Sequence, residues 1–303
     1  MNISNNSSSV ARSCWKKYYW RYIEKLTPIR QSSALTLGKI IHKAFDLYYK
    51  GKPIKEVISY ISKTFDDEIR QSSPEESEYL TIAKYTAIGM VAHNPYTSIQ
   101  FERIESEKEF RIKLTRGVWF IGRVDGIVKK GGKWWLRELK TTSQTQRQFH
   151  QRSSISSQGT AYVWALRRDG YDVKGIMYDF IKKPLLRKRV QEDQYEFGSR
   201  ILADYKKRKD FYYGQIFSYR SQQEIDLWEE DAVSLVKEVR SKRRHKRFYR
   251  NTLACYSYNS ECPYKKICFE SSPDVLMLQL YFKRDGKQIN EKGGIDDETQ
   301  TKN

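Results

Sequence analysis

The side chains best placed to do chemistry are Asp125, Glu138 and Lys140, in the stretch IGRVDGIVKKGGKWWLRELKT (121–141). Two strand-like runs flank Gly131-Gly132, and a Gly-Gly pair is a favoured two-residue hairpin turn. With the turn centred there, Asp125 falls opposite Glu138, with Cβ atoms about 5 Å apart on one face. Lys140 lies two residues further along and shares that face. Like charges set opposite each other cost stability unless a cation sits between them. The pattern therefore predicts a hard divalent cation, Mg²⁺ or Mn²⁺, on Asp125 and Glu138. Such an ion acidifies a bound water and neutralises a phosphate, and Lys140 is set to hold or deprotonate that water. A bulge at the glycines would change the register. A surface hairpin with ordinary cross-strand ion pairs is the competing reading.

Cysteines mark a second candidate centre. Cys255, Cys262 and Cys268 fall in CYSYNSECPYKKIC, while Cys14 stands far upstream. Three thiols in one short segment argue for metal binding over packing. Four thiolates hold either a [4Fe–4S] cluster or a structural Zn²⁺. The spacing is not the paired C-x2-C of a zinc ribbon, and four free buried thiols are the remaining reading.

Charge points to a polyanionic partner. The chain has 56 Lys and Arg against 37 Asp and Glu, a formal charge of +19. Nucleic acid is the usual partner for such a surplus, with an anionic membrane surface as the alternative. The surplus is concentrated in SKRRHKRFYR (241–250), where Lys242, Arg243, Arg244, Lys246 and Arg247 are candidate nucleic-acid contacts. A solvated helix face is the plainer explanation of that run. No stretch approaches the ~18 apolar residues of a membrane helix, and the start lacks the apolar core of a secretory signal. The expectation is a cytoplasmic protein with no membrane partner. No G-x-x-x-x-G-K-[ST] loop is present, so no ATP site is expected.

These residues must be carried by elements legible in the sequence. Residues 1–10 are polar and read as loose, and 11–24 read as a short aromatic helix. Residues 33–50 read as a helix with a serine cap, closed by Gly51 and Pro53. Helices are also expected over 54–70 and 77–92. Runs 101–114, 117–130 and 133–142 are β-branched or aromatic and separated by Gly-containing turns, which predicts strands. A helix over 155–168, a strand over 175–183 and helices over 190–213 and 222–240 complete an α/β order with a mixed sheet.

Gly122-x-x-Asp125 followed by Glu138-x-Lys140-Thr141 resembles the core of the PD-(D/E)XK nuclease superfamily. The likeness is closest to its RecB-like branch, which includes CRISPR-associated RecB-like exonucleases, AddB-like nucleases and many phage nucleases. His42, in GKIIHKAFD, resembles the branch's helical metal-binding histidine; an ordinary helix histidine is the alternative. Asp46, one turn on, is expected to orient its ring. Gln158-x-x-x-Tyr162 resembles the branch's Q-x-x-x-Y motif, its spacing putting both residues on one helix face. The resemblance implies that this pair positions substrate. Glu107 resembles an acid on the preceding strand, with Glu105 and Glu109 as competitors. The four cysteines resemble the branch's iron–sulfur clasp.

The resemblance implies a restriction-endonuclease-like α/β fold: a mixed central sheet flanked by helices, with helical N- and C-terminal segments joined by the four-Cys cluster. It implies one nuclease domain over 1–283 and a polar tail over 284–303. The implied activity is a metal-dependent DNA exonuclease acting on ends or single strands and leaving 5′ phosphates. His42, Asp125, Glu138 and the Leu139 carbonyl would hold Mg²⁺ or Mn²⁺. The alternatives are a nucleic-acid-binding subunit of a recombination or CRISPR-adaptation complex, or a structure-specific endonuclease. Partners would be DNA and a recombination, repair or CRISPR-adaptation protein, in a bacterial, archaeal or phage-infected cell.

Overall fold

The polar start of the chain is structured, not loose. Asn2–Ile3 is extended and helix α1 (Asn5–Ser13) follows at once. The Ser4 hydroxyl accepts from the Ser7 amide while the Ser7 hydroxyl accepts from the Ser4 amide. This reciprocal box satisfies donors that a helix start leaves open, and serine fills the position usually taken by Glu or Gln. It explains why a polar run folds here.

The computed structural model describes residues 1–29, 33–98, 101–257, 260–269 and 274–285. The chain packs as two compact units. One is Met1–Gln31 with Thr115–Val118 and Glu230–Asn303; the other is Ser32–Leu114 with Trp119–Glu229. The sequence had suggested one domain over 1–283. The tail expected over 284–303 lies, from residue 286 on, outside the described residues. Among the described residues no helix is long and apolar enough to cross a membrane.

In the smaller unit, the aromatic stretch expected as one helix is broken at Cys14, which is extended. A short helix Trp15–Tyr18 and a π-turn Tyr19–Ile23 follow. Ala11, Trp15 and Tyr18 pack with Leu235 and Val239. Strand Leu26–Pro28 pairs antiparallel with Phe282–Arg284, and the buried Tyr264 hydroxyl donates to the Leu26 carbonyl at 2.7 Å. Apolar packing and this short ladder therefore bring Leu26–Pro28 together with Tyr264 and Phe282–Arg284.

In the larger unit, α2 (Ser33–Tyr49), α3 (Ile54–Ile69) and α4 (Pro74–Ala92) come first. The serine cap expected for α2 falls on side chains outside the described residues. Then come β1 (Arg103–Thr115), β2 (Val118–Lys130), β3 (Lys133–Thr142), α5 (Gln146–Ser154), α6 (Ser157–Arg168) and β4 (Val173–Lys182). The unit ends with α7 (Gln194–Lys207), β5 (Tyr213–Tyr219) and the first turns of α8 (Gln222–His245). Val57, Ile61 and Phe65 are buried at spacings of four, giving α3 one apolar face. That face joins Ile41, Ala44 and Phe45 of α2, Met90 of α4, Ile201 of α7 and Leu139 and Ile181 of the sheet in one core.

The strand order is β1-β2-β3-β4-β5. β2 and β3 are antiparallel, β3 and β4 parallel, and β4 and β5 antiparallel, so the sheet is mixed. It carries helices, as expected. Residues 190–213 are not one helix: α7 ends at Lys207, a short turn Lys209–Tyr212 follows, and β5 begins. A Cβ at Gly214 would come within 2.2 Å of the Phe180 ring, so this strand can pair with β4 only with glycine there.

Gly131 and Gly132 both take positive φ, 58° and 70°, the conformation of a type I′ hairpin turn. The resulting register pairs Lys130 with Lys133 and runs to Gly126 with Arg137. This is the register the Gly-Gly turn predicts, up to the pair before Asp125.

Candidate metal centre

Asp125 and Glu138 meet where the β2–β3 ladder ends. One step past the Gly126–Arg137 pair, Asp125 Oδ2 accepts from the Leu139 amide at 2.8 Å. Its other oxygen, Oδ1, lies 3.1 Å from His42 Nδ1 on α2. Glu107, on β1, completes a group: one ligand atom each from His42, Glu107 and Asp125 lie within 4.8 Å of one another. The sequence offered Glu105, Glu107 and Glu109 as rivals. Glu107 is at the site, whereas Glu105 accepts from the Tyr171 hydroxyl at 2.7 Å.

Glu107 reaches the site through its backbone. It has φ +53° inside a strand, a conformation that bends a strand and re-aims its side chain. Arg123 Nε lies 2.8 Å from its carboxylate. Asp46 does not orient His42. Its buried carboxylate is taken by Lys43 and Lys50, one turn to either side, and by the Ser106 hydroxyl at 3.1 Å. It anchors β1 next to Glu107 instead.

The electrostatics favour a cation. Glu138 is buried, and burial and the Asp125 charge push its carboxyl up to about 7, against the pull of Lys140. Its Oε2 is buried with no hydrogen-bond partner among the described residues. Burial also raises Asp125, but the His42 hydrogen bond and charge, with the Leu139 amide and Lys140, hold it below the ordinary value. Burial lowers His42, but Asp125 and Glu138 outweigh it and hold the ring above its usual value. Burial raises Glu107, Arg123 opposes, and Asp125 and Asp46 add to the rise. Two carboxylates and one imidazole converge, and the buried Glu138 carboxyl lies within reach of the Asp125 and His42 charges. That donor set suits Mg²⁺ or Mn²⁺ and fits the group expected at this site.

Lys140 Nζ donates to Glu138 Oε1 at 2.6 Å and to Gln158 Oε1 at 3.2 Å. Gln158 Nε2 in turn donates to the Tyr162 hydroxyl at 3.3 Å. The Q-x-x-x-Y spacing thus runs a hydrogen-bonded line from α6 to the lysine. Gly159 allows α6 this close: a Cβ there would come within 2.6 Å of the Tyr178 hydroxyl. Gly122 plays a similar part, since a Cβ would meet the Phe110 ring at 2.5 Å, and Phe110 packs edge-on against Tyr162.

All four cysteines lie in the smaller unit and are free thiols. Cys14 Sγ accepts from the Asn251 amide at 3.4 Å, and the Cys262 amide donates to the Cys255 carbonyl at 2.8 Å. Burial pushes Cys262 and Cys268 up; Lys17 acts against this at Cys262, and Arg250 and Lys16 at Cys268. Cys14 and Cys255 are close enough to raise both further. The thiols do not, however, form a group as tight as His42, Glu107 and Asp125. Of the basic run, Lys242 lies over the Trp15 and Tyr249 rings, Arg243 and Lys246 line a cavity, and Arg244 and Arg247 are exposed.

Residues 2–269 match the description of the PD-(D/E)XK nuclease superfamily. The comparison with curated proteins gave no match.

Proposed function

The chain belongs to the PD-(D/E)XK nuclease superfamily and is a metal-dependent phosphodiester hydrolase; from that premise we propose a DNA exonuclease that acts on ends or single strands and leaves 5′ phosphates. One observation carries the assignment of the site. The His42, Glu107 and Asp125 ligand atoms converge within 4.8 Å of one another, and the Asp125 charge acts on the buried Glu138 carboxyl. When bound there, Mg²⁺ or Mn²⁺ supplies Lewis acidity, lowering the pKa of a water and screening phosphate charge.

The chain's own residues do the rest. His42, Glu107, Asp125 and Glu138 would hold the ion, with the Leu139 carbonyl a further candidate. Lys140 stays an ammonium, because Glu138 and Asp125 outweigh its burial. It donates a hydrogen bond to the attacking water or to the phosphate oxygen that gains charge. Gln158 holds its Nζ in place, and Tyr162 holds Gln158. Water attacks phosphorus in line and the bond to the 3′ oxygen breaks; the water's oxygen stays on the 5′ phosphate and one of its protons ends on the leaving 3′ oxygen.

Labelled single-stranded, linear double-stranded and covalently closed circular DNA, incubated with Mn²⁺ or Mg²⁺, test this reading. Linear and single-stranded DNA should be degraded and the closed circle spared, with all activity absent from Asp125→Asn. Equal cutting of the closed circle would make the enzyme an endonuclease. Cleavage undiminished in Asp125→Asn would remove the site assignment.

We infer further that Cys14, Cys255, Cys262 and Cys268 hold a [4Fe–4S] cluster, with Zn²⁺ as the alternative. Their place in one unit, with Cys14 Sγ accepting from the Asn251 amide and the Cys262 amide donating to the Cys255 carbonyl, supports it. Anaerobically purified protein should absorb broadly near ~400 nm and lose that band in Cys262→Ser. A colourless protein containing stoichiometric zinc would reassign the site.

A further inference from the structure

We propose that the smaller unit carries a pocket for an unpaired nucleotide of single-stranded DNA, its base against Tyr19 and Phe248 and its phosphates on Lys16, Arg243 and Lys246. The proposal rests on the DNA reading above. A cavity of about 550 Å³ is lined by these five residues with Ile23 and Glu24, and its volume lies in the roughly 300–1,000 Å³ range of ligand sites. Three cations face one carboxylate. Glu24 already has partners: Arg284 lies 3.8 Å away, and the Tyr19 hydroxyl bonds to it, which with burial pushes that phenol up to about 12. The net field in the cavity therefore suits an anion.

The aromatic walls suit a base. The Tyr19 and Phe248 rings have centroids 5.1 Å apart and are tilted by 39°, so they form a corner instead of a closed stack. Lys16 Nζ sits 4.7 Å from the Tyr19 and Trp20 centroids. A sequence-tolerant single-strand site combines cations for the backbone with aromatic faces for bases.

The backbone that builds this corner is unusual at both walls. Tyr19 begins the π-turn Tyr19–Ile23, a local distortion common at functional sites. Opposite it, α8 ends in a paired closure: the Arg247 amide donates to the Lys242 carbonyl and the Lys246 amide to the Arg243 carbonyl. That closure places Lys246 at φ +53°, where helices use glycine. The left-handed residue turns the chain so that Phe248 folds back onto Tyr19. Lys246 also lines the cavity, which gives a reason for a lysine where glycine would be unstrained.

Anisotropy of a fluorescent oligo-dT, measured in EDTA so that nothing is cleaved, tests the pocket. Phe248→Ala should weaken binding by roughly 5- to 150-fold, the effect of losing one stacked base, and leave duplex binding unchanged. Lys246→Gly separates binding from folding. It relieves the left-handed strain, so thermal stability should hold or rise, while affinity falls and the salt slope drops by about 0.7. Wild-type oligo-dT affinity and salt slope in both Lys246→Gly and Lys16→Gln would overturn the pocket. If those variants bind normally while the wild type cleaves DNA, the pocket fails and the nuclease reading stands. If the wild type binds oligo-dT through these residues but cleaves no DNA with Mn²⁺, the nuclease reading fails and the pocket stands. If it neither binds nor cleaves DNA, both fail.

Discussion

His42 Nδ1 lies 3.1 Å from Asp125 Oδ1, joining helix α2 to the β2–β3 hairpin across 83 residues of sequence. The contact is close, but neither side chain is sealed off: their side-chain exposures are 32% and 25%. An isolated ion pair at that exposure contributes little to folding. Its significance lies in the charge it sets: against burial, the His42 hydrogen bond and charge, ahead of the Leu139 amide and Lys140, hold the Asp125 carboxyl below its ordinary value.

His42→Ala should therefore leave the fold intact while weakening Mn²⁺ binding at least about tenfold, the lower end of what even outer-shell partners of a metal contribute. Titration calorimetry on the metal-free protein measures this directly. Unchanged Mn²⁺ affinity would return His42 to the ordinary helix histidine that its sequence context also allowed.

Lys140 and Gln158 should act as one unit. Gln158 touches the lysine and Tyr162, so it positions Lys140. Lys140→Ala should lower kcat by about a hundredfold or more, as loss of a charge-stabilising donor does. Gln158→Ala should cost less, and adding it to Lys140→Ala should cost almost nothing further. Gln158→Glu, which keeps an acceptor for the ammonium, should recover part of the loss. Fully additive effects in the double variant would show that Gln158 serves substrate by a separate route.

The metal-free protein should lose stability as pH rises from about 5 to 8. Glu138 has its folded pKa raised from 4.5 to about 7. Such a carboxyl costs nothing below its unfolded value, when it is protonated in both states. The cost grows between the two values and is complete above the folded one. His42 works in the same direction, its stabilisation being full below 6.5 and lost as pH passes its raised folded value. Asp125, held below 3.8, has the opposite sign but acts outside this window. Thermal melts in EDTA should show the decline, Glu138→Gln should flatten it, and Mn²⁺ at pH 8 should reverse it. A wild-type profile as flat as that of Glu138→Gln would mean that the carboxyl is not strained by its surroundings.

How far the site could be read ahead of the structure depended on whether local spacing determined it. The hairpin was legible because two glycines at positive φ set one register, and that register carries Asp125 to the edge of Glu138. Gln158 and Tyr162 were legible because helical spacing alone puts them on one face. Gly159 lies in the same helix, and its missing Cβ is what admits α6 to within reach of Tyr178. Strand β5 was hidden because its first residue directly follows a short helical turn, and its pairing depends on Gly214 clearing the distant Phe180 ring. Asp46 was misassigned because helical spacing gives neighbours on both sides, and two lysines outcompeted the ring. Glu107 was picked out by resemblance alone, with Glu105 and Glu109 as competitors. Strand alternation puts Glu105, Glu107 and Glu109 on one face, and only the left-handed turn of the backbone separates them.

That left-handed backbone makes Glu107 the sharpest test of the metal centre. A side chain at φ +53° costs about 1–2 kcal/mol relative to glycine, which adopts this conformation freely. Its ion pair with Arg123 returns little, because the arginine is 61% exposed. Glu107→Gly should therefore match or exceed the wild type in thermal stability without metal, and exceed Glu107→Ala by about 1 kcal/mol, since alanine keeps the strain. Both variants should bind Mn²⁺ at least about tenfold more weakly and cleave DNA more slowly. Opposite signs for stability and metal affinity in the glycine variant would establish that the strain is retained for the ligand. Equal stability of the glycine and alanine variants, or Mn²⁺ binding that neither changes, would remove Glu107 from the site and leave His42, Asp125 and Glu138 to hold the ion.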